Sequence, residues 1–398
     1  MCVSVASAAM SASDAVRDVV MGFLPLSYAV PDAAHPGLMR AGERTGAPYG
    51  GESVESRPCR AIDLAASGAP SPDLLTMGFD VVDLASFDEL QDVLGRVAAA
   101  GRVGDNDAAR IRAALDGATL SCVGGCTLKV LHLAGEGLFM RTGGPNRLPV
   151  VPPESNGMND HGAATSVHVD QDVYGTPLSQ VMGGRAPELF RHDSPDGNNH
   201  DASLMLVNLW IPLHQVTQPL VLADGRSVDR RRHQLRYGLS TGSFLERDDE
   251  MAINDIWTML HDPGQQWYFR SDMDHRSAYV FDTLSTPHGA GVLVGEELAE
   301  RASVGLEAAE AAATVGDAAG VAHALAGIDV RTADVVGVTD SLGRALDRLA
   351  AAVDEARSDP EGVCDPSRRD EWLTRSQSAR RNVVRTSIEL RVVVSVDR

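Results

Sequence analysis

Lysine is almost absent from this chain: Lys129 is the only one, and every other basic side chain is arginine. A genome rich in G and C favours Arg and Ala codons and accounts for the bias. The absence still prunes mechanisms. A Schiff-base or phosphate-loop lysine could only be Lys129, and its context Thr-Leu-Lys-Val is not a G-x-x-x-x-G-K-[ST] loop. Cysteine is scarce as well. Cys2, Cys59, Cys122, Cys126 and Cys364 contain no C-x-x-C pair, and an odd count scattered over 398 residues argues against a disulfide framework. Cys122 and Cys126 flank Val-Gly-Gly, which reads as a turn between packed segments rather than a metal knuckle. No run approaches the roughly 18 apolar residues that a membrane helix needs. The N-terminus has no basic n-region, and Asp14 and Asp18 interrupt its apolar character, so no secretory signal is expected and the expected compartment is the cytoplasm. Positive charge is also in deficit, with 35 Lys+Arg against 55 Asp+Glu and a formal charge of −20. A surface this acidic repels phosphate backbones and anionic lipid, which disfavours nucleic-acid and membrane partners.

What is present is an ordinary globular composition, 43% hydrophobic, in a chain long enough to bury a full core. Residues 1–60 are rich in Ala, Ser, Gly and Pro and read as an N-terminal extension, with a helical candidate at Ala12 to Met21. Short strands are expected at Cys59 to Leu64 and Gly78 to Leu84, and helices at Ser86 to Ala99 and Asp105 to Leu115. In the first of those helices Leu90, Leu94 and Val97 recur at helical spacing. From Leu120 the texture changes to short β-like runs separated by Gly and Pro turns. They are Thr127 to Leu133, Leu138 to Arg141, Thr165 to Asp170, Ser203 to Leu213 and Pro219 to Ala223, followed by Gln266 to Ser271, Ala278 to Asp282, His288 to Val294 and Asn382 to Val396. Many short strands with turn signals indicate a mainly β fold with flanking helices, and a double-stranded β-helix, or jelly roll, is the economical architecture.

Two segments interrupt the pattern. Gln171 to Asp201 is a long polar loop without periodicity, expected to act as a lid. Residues 296–381 are Ala-rich and helical, with Leu342, Leu346, Leu349 and Val353 forming an i, i+4, i+7, i+11 stripe. This is a helical insertion before the last strand, suited to packing or to homodimer formation. The domain reading is therefore an extension at 1–60, a β domain built from 61–295 plus 382–398, and the insertion at 296–381.

Chemistry concentrates in three places. In Thr165 to Asp170, read Thr-Ser-Val-His-Val-Asp, strand alternation puts His168 and Asp170 on one face and Val167 and Val169 on the other. One imidazole and one carboxylate side by side need only a second His to make a 2-His-1-carboxylate triad, which holds Fe(II) and leaves positions open for a co-substrate and O2. His288, in Ser-Thr-Pro-His-Gly-Ala-Gly, is the third ligand candidate; read by itself it is a turn histidine beside Pro287, and His168 and Asp170 upstream with the last strand downstream favour the ligand reading. The last strand carries Arg385 and Ser387 on one face. A guanidinium fork and a hydroxyl pointing into a barrel suit the distal carboxylate of 2-oxoglutarate. The other reading is an edge-strand arginine, with Glu389 and Arg391 continuing the same face and pairing among themselves.

The sequence resembles the iron(II)/2-oxoglutarate-dependent oxygenase superfamily. More narrowly, it is similar to the hydroxylase/desaturase group that includes a cephamycin-pathway hydroxylation component and a fungal gibberellin desaturase. The resemblance rests on Val207 to Leu213 (Val-Asn-Leu-Trp-Ile-Pro-Leu), Gln218 to Val228, Trp267 to Met273, Val280 to Thr283 and Arg385 to Arg391. It covers roughly residues 60 to 295 and the last strand. It implies His168, Asp170 and His288 as iron ligands, Arg385 with Ser387 as the co-substrate anchor, and Fe(II), 2-oxoglutarate and O2 as cofactor and co-substrates. The implied activity is hydroxylation, desaturation or cyclisation at an unactivated C–H bond of a small natural-product intermediate in secondary metabolism. Succinate and CO2 are the co-products. Asn208 shares a strand face with Trp210 and is expected to reach the iron-bound end of 2-oxoglutarate, or else to be a satisfied core amide. The insertion departs from the family, which has a short connection there.

A cupin-like metal-binding protein or a Zn(II) hydrolase could use the same three ligands, although the sequence has no H-E-x-x-H helix. Gly289-Ala-Gly291 with Gly295 is spaced G-x-G-x-x-x-G, which is not the dinucleotide fingerprint. Arg226 and Ser227 are read as turn residues, with substrate contact as the other reading. The remaining imidazoles singled out, His161, His192, His200, His214 and His275, are read as ordinary surface or loop residues.

Overall fold

A computed structural model describes residues 15–33, 36–41, 54–134, 138–145, 157–159, 161–170, 202–240, 253–271, 273–330 and 335–398. Eight strands form the central roll: β1 (Phe139–Gly143), β2 (His168–Val169), β3 (Leu204–His214), β4 (Leu220–Ala223), β5 (Ile253–Met259), β6 (Ser277–Asp282), β7 (His288–Ala290) and β8 (Arg385–Asp397). They pair antiparallel in two layers, β4-β7-β2-β5 and β6-β3-β8-β1. That alternation between layers is the double-stranded β-helix expected from the sequence. Among the described residues both layers are extended at their edges, into an 11-stranded and an 8-stranded sheet.

Alternation decides what each layer shows to the interior. In β3, Val207, Leu209 and Ile211 face outward and pack with Ile388, Leu390 and Val392 of β8 against two helices, α1 (Asp88–Ala100) and α2 (Asp105–Leu115). Asn208 and Trp210 therefore point inward, as do Arg385, Ser387, Glu389 and Arg391 of β8, whose register sets Asn208 opposite Arg391 and Trp210 opposite Glu389. Leu90, Leu94 and Val97, the stripe read from the sequence, are the buried face of α1.

The outer face of the other layer is covered by helices α3 (Glu296–Thr314), α4 (Ala318–Ala324), α5 (Asp340–Ser358) and α6 (Pro366–Arg381). The α5 stripe Leu342, Leu346, Leu349 and Val353 is buried in one continuous core with Val19, Met21, Val167, Val221 and Phe269 of the sheet. That stripe is consumed within the chain and is not a free face for a partner. Local signals start these helices. The Thr339 hydroxyl accepts from Leu342 N (3.3 Å) ahead of α5, and the Asp365 carboxylate accepts from Ser367 N (2.8 Å) with Pro366 opening α6.

Three expectations change. The helix expected at Ala12 to Met21 is, over its described part, a strand: Val16–Phe23 pairs antiparallel with Glu55–Asp63 from Val16↔Ile62 to Phe23↔Glu55. Val19, Met21 and Phe23 are buried while Val20 is exposed, so the period is two, and β-branched valines suit it. The hairpin Gln234–Ser240 with β5, which flanks β2, lies in a stretch for which the sequence reading had no strand. The His-x-Asp segment is laddered only at His168 and Val169, with Ser166 bridging to Gly22. The expected lid at Gln171 to Asp201 lies outside the described residues.

Candidate metal centre

The site begins with register. His168 on β2 is paired directly with His288 on β7, and directly opposed side chains on adjacent antiparallel strands share a face. Their ring centroids are 4.5 Å apart. Asp170, two residues beyond His168, turns to the same side, with its Oδ1 3.4 Å from His168 Nε2 and 3.7 Å from His288 Nε2. One ligand atom from each of the three residues lies within 4.8 Å of the others, and all three residues are buried.

Both rings are oriented by the backbone. His168 Nδ1 donates to Ser166 O (2.9 Å) and His288 Nδ1 donates to Thr286 O (3.0 Å). Each Nε2 is left facing Asp170, the ring nitrogen free to act as a metal ligand. Phe281, on the neighbouring layer, packs its ring 4.6 Å from that of His288. Burial pushes His288 down to about 4, against the pull of Asp170, so the imidazole is neutral at neutral pH. Burial works to raise Asp170, but the two histidines and Arg391 outweigh it and hold the carboxyl below its usual range. Two imidazoles and one carboxylate make an N2O donor set that suits Fe(II) or Zn(II).

Asn208 ties the two layers together. Its Nδ2 donates a short hydrogen bond to Asp170 Oδ2, and its Oδ1 accepts from Thr283 Oγ1 (3.2 Å). The amide expected to reach a co-substrate is thus engaged with Asp170, because the inward face of β3 brings it against the end of β2. Asp170 Oδ1, the oxygen nearer both rings, is the one left for an ion.

Along β8, Arg385 is 2% exposed and stands 5.7 Å from the Trp210 ring. Its Nη1 donates to Gln218 O (2.6 Å), while its buried Nε and the buried Ser387 Oγ have no partner among the described residues. Burial, with the charge of Arg141, lowers Arg385 to about 10, so it stays cationic at neutral pH. A buried cation with an unused donor beside an unused hydroxyl fits an anionic ligand. Glu389 does not supply that anion. It pairs with Arg141 of β1 (2.9 Å), a cross-strand partner rather than the Arg391 two residues along. The same pairing ties up Glu389, the inward-facing carboxylate of β8, which a zinc hydrolase could otherwise use as a general base.

Gln218, which holds Arg385, is the one described non-glycine residue with positive φ (47°). Glu296, the first residue of α3, fixes it: Glu296 Oε1 accepts from Gln218 N (2.7 Å) and from Leu293 N (3.0 Å). Neither this link nor the Arg141–Glu389 pair carries a signal in the sequence, since both join residues far apart in the chain. Arg226 pairs with Asp224 (2.6 Å) in a turn, and Ser227 Oγ donates to Asp224 O (2.6 Å). His161 and His214 bond to Gly157 O and Asn382 O, His275 is half-buried away from this site, and His192 and His200 lie outside the described residues.

Residues 145–294 match a family described as "Oxidoreductase/YMDC permease-like domain". That span includes His168, Asp170, Asn208 and His288 and stops short of Arg385. No curated protein matches the chain in sequence. Among solved structures it is similar to an iron and alpha-ketoglutarate-dependent endoperoxidase, NvfI, with 14% identity, coverage of 96% of this chain and 98% of that one, and a TM-score of 0.45. A different conformation of the same protein aligns with 14% identity over 96% and 98% of the two chains and a TM-score of 0.42. Among the described residues no helix is long and apolar enough to cross a membrane. The jelly roll gathers His168, Asp170 and His288, the three side chains singled out in the sequence.

Proposed function

We propose that this chain is an iron(II)/2-oxoglutarate-dependent oxygenase acting on an unactivated C–H bond of a small natural-product intermediate. The observation that supports this most is the pairing of two features in one interior. One is a buried His168–Asp170–His288 donor set; the other is a buried Arg385 with an unused donor beside Ser387. His168 Nε2, His288 Nε2 and Asp170 Oδ1 would hold the metal, and Arg385 with Ser387 would take the distal carboxylate of 2-oxoglutarate. A metal held there would, with 2-oxoglutarate and O2, supply the oxidation of a C–H bond, with succinate and CO2 as co-products.

The chain's own residues orient and exclude. The Ser166 and Thr286 carbonyls fix the ring tautomers, and Asn208 keeps one carboxylate oxygen occupied so that the other is presented singly. Trp210 and Phe281 line the interior with apolar surface, which keeps water from competing and strengthens every charge interaction there. Asp170 fills the ligand position that a halogenase would leave for chloride, so halogenation is disfavoured. Hydroxylation is the default outcome; desaturation or cyclisation follows where the bound substrate is turned away from oxygen transfer.

The test is turnover of the co-substrate. Protein with Fe(II), O2 and carboxyl-labelled 2-oxoglutarate should release labelled CO2 and form succinate stoichiometrically, slowly without a primary substrate. Release should vanish in His288→Ala and in protein loaded with Zn(II). Iron-loaded, folded protein that forms no succinate across a panel of natural-product precursors would overturn the reading.

A further inference from the structure

A second cluster of ligand-type side chains sits outside the roll. Cys122 and Cys126 close a hairpin between strands Thr119–Ser121 and Thr127–Leu133, joined by Cys122 N to Cys126 O (3.0 Å) and Gly125 N to Cys122 O (3.1 Å). Gly125, at φ 101°, allows the turn. The two thiols occupy opposed positions and point the same way. The hairpin tip is pinned to the strand Phe79–Asp83 by Val123 N to Val81 O (2.9 Å) and a Val82↔Cys122 bridge. That contact delivers a third group, Asp80, which is fully buried.

We propose that Asp80, Cys122 and Cys126 form a thiolate-rich site for a zinc-class divalent ion, separate from the His168–Asp170–His288 centre. One ligand atom from each of the three lies within 4.8 Å of the others. Tetrahedral zinc, with sulfur at about 2.3 Å and carboxylate oxygen at about 2.0 Å, brings its ligands to roughly 3.5 to 3.8 Å from one another, so a small closing movement completes the site. The carboxylate is already aimed. Val81 N (2.7 Å) and Gly124 N (3.2 Å) donate to Asp80, and Gly124 reaches it only because it lacks a side chain. A Cβ there would lie 2.4 Å from Pro72 O and 2.5 Å from Asp80 Oδ2.

Charge is what the cluster lacks. Among the described residues no basic side chain pairs with Asp80, and Asp73 adds further negative potential. Burial raises Asp80 to about 6; the contact with Cys126, then burial, pushes the Cys122 thiol up, while the same contact lowers Cys126. A divalent ion would supply the missing positive charge and engage all three donor atoms. Cys126 is only partly covered and provides the entry, with water as the fourth ligand. The two centres would sort metals by ligand softness: thiolates favour zinc, while the N2O triad suits Fe(II). A disulfide between the same two cysteines needs an oxidant and leaves the buried carboxylate without a counter-charge.

The experiment is a titration of reduced, chelator-stripped whole protein with Co(II) alone, under argon. A thiolate-to-Co(II) charge-transfer band and tetrahedral d–d bands should saturate at one equivalent. They should persist in His288→Ala and in the thiol control Cys364→Ala. They should disappear in Cys122→Ser/Cys126→Ser with far-UV circular dichroism unchanged. Asp80→Asn, of nearly the same shape, should keep the bands but weaken Co(II) on the order of ten- to a hundredfold. Reduced wild type that shows no thiolate band, or a band that survives the double substitution, overturns the proposal. Loss of Co(II) binding at His168–Asp170–His288 alone would count against the oxygenase reading and leave this one standing.

Discussion

Asp170 is held in place by Asn208, a residue that a bound metal would not touch. In Asn208→Ala that hydrogen bond is lost, and Asp170 Oδ2 becomes a buried acceptor with one partner fewer. Fe(II) affinity should fall roughly ten- to a hundredfold, the usual cost of removing an outer-sphere partner, while Asn208→Asp should do worse by repulsion. A competition titration with a chelating dye measures both. Arg385→Ala should leave Fe(II) affinity unchanged and weaken 2-oxoglutarate by about a hundredfold, or roughly 3 kcal/mol, read by anaerobic calorimetry. Glu296 gives a pH signature. Burial lifts its pKa from 4.5 to about 8, so the folded protein keeps a proton that the unfolded chain releases between those values. Its stabilising contribution is complete below pH 4.5 and is lost as the pH rises through 8. In urea unfolding from pH 5 to pH 9, Glu296→Gln should therefore gain on the wild type by roughly 2 to 4 kcal/mol, because the amide still accepts from Gln218 N without the cost of a buried charge.

Among the elements, α5 was the easiest to read. Its stripe of Leu342, Leu346, Leu349 and Val353 repeats at the helical period, and all four are buried. Leu346→Ala should lower stability by about 3 kcal/mol in urea unfolding, since the cavity sits between helices and sheet. The strands that carry the chemistry were legible for a related reason. His168 and Asp170 declare a shared face by being two residues apart, as do Arg385 and Ser387, and a period of two survives in any β context. What stayed hidden depends on register between distant segments. Nothing near Arg141 in the chain announces Glu389, nothing near Asp80 announces Cys122, and the positive φ of Gln218 is imposed by Glu296 rather than by its own residue type. The strand Val16–Phe23 was obscured by the Ala and Ser residues before it, whose helical propensity outweighed the alternating Val19, Met21 and Phe23.

Over the whole molecule, a mostly apolar exterior of each layer buys a polar interior. The outward faces of both layers are sealed by helices, α1 and α2 on one and the 296–381 segment on the other, leaving the inward faces free to carry Asn208, Arg385, Ser387, Glu389 and Arg391. The 296–381 segment is more than a cover, because its first residue, Glu296, holds the turn that holds Arg385. The most direct measurement is anaerobic addition of Fe(II) and then 2-oxoglutarate to the metal-free protein, followed in the visible range. The account predicts a weak charge-transfer band that needs both additions. It should be absent in His288→Ala and should demand far more 2-oxoglutarate in Arg385→Ala. Folded, iron-loaded protein that shows no band at saturating 2-oxoglutarate would contradict it.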